Sequence, residues 1–200
     1  MNMLDVQNAG KLHAEIVCVI SSKRKCDENL PVLERCENEG IPVKFILPNE
    51  YENRQKFWDE QNKKVDEFTP DLIALAGYLK LWQIPEKYLG KVMNIHPALL
   101  PKYGGKGFYG MRVHNAVLNA GEKESGCTVH FANNEYDSGP IILQKKVQIF
   151  ANDTAETLKK RVFKQECLAY PEAINLFADG RLRVVGNINI GTVEIVEPEA

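Results

Sequence analysis

A chain of 200 residues that is 44% hydrophobic can bury one sizeable core, so a single domain spanning residues 1–200 is expected. Its 25 Lys and Arg are interspersed with 27 Asp and Glu for a formal net charge of −2, which argues against a nucleic-acid or membrane surface as the working partner. The five cysteines form no CxxC and no cysteine–histidine zinc spacing, the N-terminus lacks a signal-peptide core and no run reaches membrane-span length, so a soluble cytoplasmic protein with reduced thiols and no metal is expected.

In chain order, the apolar runs Ile16–Ile20, Val43–Leu47 and Asp71–Ala76 read as strands alternating with helices. Between the first two, Asp27 is positioned to cap a helix striped by Leu30, Val32, Leu33 and Cys36 and ended by Gly40. Residues 52–67 carry Phe57, Trp58, Val65 and Phe68 on a charged helix, and a short helix near Pro85 leads into a fourth strand, VMNIH. A long loop rich in Pro, Gly and Lys spans 97–110, followed by a helix over 111–121 and strands at 127–132 and 141–149. Thr154 opens a helical stretch to about Ala178, with Pro171 marking a kink or break, and the tail reads as a hairpin. The clusters Lys23-Arg24-Lys25 and Lys159-Lys160-Arg161 read as solvated faces. The pattern is that of a layered α/β fold with a mainly parallel sheet flanked by helices.

The polar residues worth attention are those where ligands bind in such sheets, at the carboxyl ends of strands. Asn94 and His96 end the VMNIH strand just before Pro97, and Asp137 opens a turn in NNEYDSGP. If the segments meet, an amide, an imidazole and a carboxylate share one site. That set suits acyl transfer to an amine: Asn94 and a protonated His96 would stabilise the oxyanion, and Asp137 would tune the imidazole and accept the amine proton. Thr128 and His130 alternate on the preceding strand as supporting groups. The same residues also read as a satisfied structural histidine and an ordinary Asp-Ser-Gly-Pro turn.

The stretches MNIHPALLPKYGGKGFYG, GCTVHFANNEYDSGPIILQKKV and FADGRLRV, in this order, resemble the glycinamide ribonucleotide (phosphoribosylglycinamide) formyltransferase family, within the 10-formyltetrahydrofolate-dependent formyltransferases. The resemblance implies a Rossmann-like formyltransferase fold and transfer of a formyl group from the co-substrate 10-formyltetrahydrofolate to the amine of glycinamide ribonucleotide in purine synthesis. It implies that Asn94, His96 and Asp137 are catalytic. It also implies that Leu79, Lys80, Leu81 and Trp82, with Asn133, Asn134, Glu135 and Tyr136, wall the folate pocket, and that Gly77 and Glu166 contact the substrate. Other formyltransferases, a formyltetrahydrofolate hydrolase and an inactive folate-binding relative are the alternatives, and a monomer or homodimer is expected.

Two features depart from the family pattern. The loop GGKGFYGMRVH is longer than usual and places Lys106 and Arg112 where they would attract an anionic substrate or a folate glutamate tail. The chain also opens on a helix, with Met3, Leu4 and Val6 on its apolar side, where the family has a first strand and a Gly-rich phosphate loop. Because the trio is intact, a shortened copy of a complete enzyme is expected rather than a degraded relative.

Overall fold

Leu4 anchors the first helix, α1 (Asn2–Asn8), in a small core with Cys36 and Ile41, around which Ile16, Val19, Val32 and Val43 pack. In the computed structural model, which describes residues 2–23 and 31–197, this core belongs to one of two compact units, Met1–Lys11 with Glu15–Asp71. Its strands β1 (Val19–Ser21) and β2 (Val43–Phe45) pair in parallel, with α2 (Pro31–Asn38) between them in the chain. Gly40, at φ 77°, ends α2 by letting Ile41 N–H reach back to the Cys36 carbonyl, the wrap expected of a glycine cap. Leu33 and Cys36 are buried as their spacing predicts, whereas Asp27, Leu30, Arg24 and Lys25 lie outside the described residues. After a 3-10 turn at Pro48–Glu50, Asn53 caps α3 (Arg54–Asp66) by accepting from Lys56 N–H at 3.0 Å, and Phe57 and Val65 form its buried stripe.

The second unit, Leu12–Ala14 with Leu72–Ala200, holds a four-stranded sheet in the order β3 (Ile73–Leu75), β4 (Val92–His96), β5 (Glu124–Phe131), β6 (Ile141–Gln148). A 3-10 turn at Glu86–Tyr88 precedes β4, and α4 (Met111–Asn119) lies between β4 and β5 in the chain. β3 and β4 run parallel, but β4–β5 and β5–β6 are antiparallel, so this sheet is mixed where a mainly parallel one was expected. The Ala132–Pro140 connection is too short for a crossover, which forces β6 to return beside β5.

α5 (Ala155–Ala178) begins with Thr154 and Thr157 capping each other's backbone N–H, and the Arg161 guanidinium grips Asp153 with two bonds of 2.7 and 2.8 Å. The helix is continuous through Pro171, so of the expected kink or break the break does not occur. The ring is buried beside Ala169, Tyr170, Ala173 and Ile174, and this packing outweighs the one backbone bond that proline removes. The tail is the expected hairpin, β7 (Leu182–Val185) against β8 (Thr192–Ile195).

Register sets the two faces of the sheet. Met93 pairs with Phe131 and Ile95 with Val129, giving an apolar face on which Phe131 meets Phe177 of α5 edge to face at 6.4 Å. The intervening residues turn the other way: Asn94 lies opposite His130, His96 opposite Thr128, and Thr128 opposite Gln144. A strip of polar side chains therefore crosses three strands on one face.

Candidate active site

Asp137 reaches this polar face from the turn between β5 and β6. Its backbone, at φ 52°, is in the left-handed region, as is that of Tyr103 at 59°, and neither residue is glycine. Such conformations are costly and persist where the surroundings hold them. Here the Asp137 carboxylate is gripped from several sides: it accepts from Asn94 Nδ2 at 3.3 Å and from Gly105 N–H at 2.9 Å. His96 Nδ1 stands 3.4 Å from Oδ2, and His130 Nε2 is 3.7 Å from Oδ1, beyond hydrogen-bond length.

The imidazoles are oriented by backbone carbonyls. His96 Nε2 donates to the Tyr103 carbonyl at 2.8 Å, which leaves Nδ1 facing Asp137. His130 Nδ1 donates to the Phe131 carbonyl at 2.9 Å, so its Nε2 accepts from Asn94 Nδ2 at 3.2 Å. Both N–H bonds of the Asn94 amide are thereby occupied, one by a ring nitrogen and the longer one by the carboxylate.

Burial alone would push the Asp137 carboxyl up, but His96 and the Gly105 N–H outweigh it and hold the group below the usual carboxylate range. Burial dominates at His96, which it lowers despite the raising effects of Asp137 and the Tyr103 carbonyl. The site thus holds a stable anion beside an imidazole whose charged form depends on that anion.

Around this centre, the loop from Pro97 and the turn at 136–141 enclose a cleft of about 360 Å³ whose walls include Leu100, Gly104, Gly105, Tyr136 and Asp137. Gly104 has no room for a side chain: a Cβ there would lie 2.4 Å from Leu100 Cδ2 and 3.2 Å from Asp137 Cβ.

The segments expected to wall a folate pocket are tied together. Leu81 N–H donates to Tyr136 Oη at 3.0 Å, and Ile84 N–H to Asn134 Oδ1 at 2.7 Å. Leu79 is 57% exposed, Lys80 and Glu135 are also exposed, and Trp82 is buried at 3%. The Asn133 side chain is used within its own turn, accepting from Glu135 N–H and Ser138 Oγ at 3.0 Å each. Gly77 follows β3 at φ 69°, a conformation that favours glycine. At the start of α4, Arg112 stacks 4.9 Å over the Tyr109 ring.

Glu166 is apart from the trio. It stands on α5, close enough to Cys127 of β5 for its charge to be felt by that thiol. Burial raises its pKa to about 7, and no hydrogen-bond or ion-pair partner is found for it among the described residues.

Three groups carried no sequence signal of their own: the Gly105 N–H, the Tyr103 carbonyl and the Gln144 amide. Backbone donors and acceptors are invisible in residue identity. Gln144 follows from hairpin pairing, but a bulge between Val129 and His130 shifts the register and hides it. Among the described residues no three His, Cys, Asp or Glu groups converge as metal ligands, and no helix is long and apolar enough to cross a membrane.

A family model described as formyl transferase matches residues 1–174. Phosphoribosylglycinamide formyltransferase of Haemophilus influenzae is 37% identical over 188 residues, covering 93% of this chain and 84% of that enzyme. The crystal structure of glycinamide ribonucleotide transformylase 1 from Symbiobacterium toebii superposes with a TM-score of 0.86 at 34% identity, over 98% of this chain and 87% of that one. A formyltetrahydrofolate deformylase from Pseudomonas syringae, 22% identical with a TM-score of 0.82 over 98% of this chain and 61% of that one, shares the fold.

Proposed function

The chain belongs to the formyl transferase family, and from that membership we propose that residues 1–200 act as a single cytoplasmic domain transferring a formyl group from 10-formyltetrahydrofolate to the amine of glycinamide ribonucleotide. The observation that carries this reading is the convergence of Asn94, His96 and His130 on one ionised carboxylate, Asp137, at the wall of a cleft.

The folate co-substrate supplies the one-carbon unit and its leaving amine; this chain's residues supply position and charge. The exposed Leu79 and Lys80 with Leu81 on one side, and Asn134 to Tyr136 on the other, form the walls, with Trp82 and Asn133 bracing them from within. Asn94 gives up its long 3.3 Å bond to Asp137 and turns that N–H to the formyl oxygen, where negative charge develops. His96, protonated at Nδ1 when Asp137 offsets the effect of burial, donates that N–H to the same oxygen, while its Nε2–H stays on the Tyr103 carbonyl and holds the ring in place. Asp137 stabilises that cation at 3.4 Å, takes the proton that the attacking amine releases and passes it to the folate N10 as the formyl C–N bond breaks, so that tetrahydrofolate leaves as a neutral amine. Gly77 and Glu166 contact the ribonucleotide side of the acceptor, Glu166 as a carboxyl that folding leaves without a partner. Lys106, in the loop after Pro97, and Arg112, at the start of α4, draw the anionic substrates to this end of the cleft.

The test is an acceptor comparison. The full chain is supplied with 10-formyltetrahydrofolate and, in turn, glycinamide ribonucleotide, other primary amines and water alone. Transfer to the ribonucleotide that His96→Ala abolishes is expected; release of formate with no acceptor preference would identify a hydrolase. Activity undiminished in both His96→Ala and Asp137→Asn overturns the assigned roles.

A further inference from the structure

Thr128 Oγ1 uses every hydrogen-bonding position it has. It donates to the Ala98 carbonyl at 2.7 Å, and accepts from Leu100 N–H at 3.0 Å and from Gln144 Nε2 at 2.8 Å. The second Gln144 N–H donates to the Leu100 carbonyl at 3.0 Å. Two side chains, adjacent across β5 and β6, thus hold three backbone groups of the loop that leaves His96. Thr128 is fully buried, and the amide orientation of Gln144 is fixed because Leu100 offers it only an acceptor.

That grip is passed on by contact. Leu100 Cδ2 occupies the space a Gly104 side chain would need, and Gly104 is packed in turn against Asp137 Cβ. On either side of Gly104, Tyr103 offers the carbonyl that orients His96, and Gly105 the N–H that binds Asp137. The geometry points to Gln144 as a positioning residue for formyl transfer: by latching Leu100 through its carbonyl and through Thr128, it sets where the Tyr103 carbonyl and Gly105 N–H meet the catalytic pair. This assignment rests on the proposed function above. Gln144 touches none of the reacting atoms. Its amide is needed because only a two-proton donor can serve both Leu100 O and Thr128 Oγ1; an aliphatic side chain of the same size serves neither, and an ionised carboxylate would repel the carbonyl.

Gln144→Leu and Gln144→Glu in the full chain test it, with kcat, KM and the pH profile of kcat measured beside the wild type and the folded fraction fixed by urea unfolding. Gln144→Leu should lower kcat about tenfold, the scale expected for a misplacement of under an ångström, with KM changed less than about threefold. The limb belonging to His96, whose ring is faced by Asp137 and His130 and lies within the field of His114, should move to lower pH, because the Tyr103 carbonyl favours its charged form. Gln144→Glu should lose more near pH 8 and regain ground relative to wild type as acid restores a donatable proton. A kcat and pH profile equal to wild type in both variants, or a loss that tracks the folded fraction alone, overturns the positioning role. Wild-type transfer that is indifferent to Asp137→Asn overturns instead the catalytic reading beneath it.

Discussion

Glu166→Gln should make the unliganded protein more stable at neutral pH and less fit for its substrate. Burial in α5 raises the carboxyl from its ordinary value of 4.5 to about 7, and no partner among the described residues offsets the desolvation. An acid whose pKa rises on folding binds its proton more tightly in the native state, so stability is fully present below about pH 4.5, falls as pH rises to about 7, and is level above. A shift of this size is worth on the order of 3 kcal/mol. Partial exposure reduces the working figure to about 2 kcal/mol, or roughly 4–8 °C in Tm for a domain of this size. Glutamine matches the neutral carboxyl in shape and cannot ionise, so variant and wild type should be equally stable near pH 4.5 and diverge by that amount at pH 8. Urea unfolding followed by tryptophan fluorescence at each pH measures the gap. A difference that stays constant with pH, or a wild type that is the more stable at pH 8, would refute the reasoning. The same variant should raise the KM for glycinamide ribonucleotide, a group left unpaired in the fold being the one kept for the ligand.

Asp137→Asn removes the proposed base and the charge beside His96, and should lower kcat by about 10²–10⁴-fold while moving Tm little; steady-state kinetics beside calorimetry separate the two. Gly139→Ala places a Cβ 1.9 Å from the Phe131 carbonyl and should cost about 2–3 kcal/mol in urea unfolding, since the turn must lift off β5. Tyr170→Phe removes the buried hydroxyl that stands 3.0 Å from both the Leu75 and Met93 carbonyls; a loss of about 1–2 kcal/mol is expected, and an unchanged midpoint would show that neither acceptor depends on it.

Where sequence periodicity and chemistry agreed, the residues could be placed beforehand. Asn94 and His96 alternate with apolar Met93 and Ile95, so a strand end with one polar face follows directly, and Thr128 and His130 repeat the pattern on the strand that pairs with it. Asp137 joins them because an Asp-Ser-Gly-Pro turn returns the chain within a few residues. The antiparallel pairing was not legible, since apolar runs carry no direction, and neither was the course of α5 through Pro171, where packing decides. Nor could composition show that Trp82 turns inward while Leu79 stays exposed: both suit a flat ligand, and only the ties from Leu81 to Tyr136 and from Ile84 to Asn134 fix which one faces out. The resemblance supplied Glu166; that it is partly buried with no partner among the described residues required the fold.

The alternation along β5 has a consequence for how this protein tolerates change. Thr128 and His130 lie on the polar face with Asn94 and His96, while Cys127, Val129 and Phe131 serve the core, and the two sets are interleaved with no residue between them. Substitutions at the even positions should disturb the polar network around Asp137, and at the odd positions the packing against α5. Losing one residue from the strand would exchange the sets, pointing an imidazole at α5 and a valine at Asp137, so length is constrained here more tightly than identity.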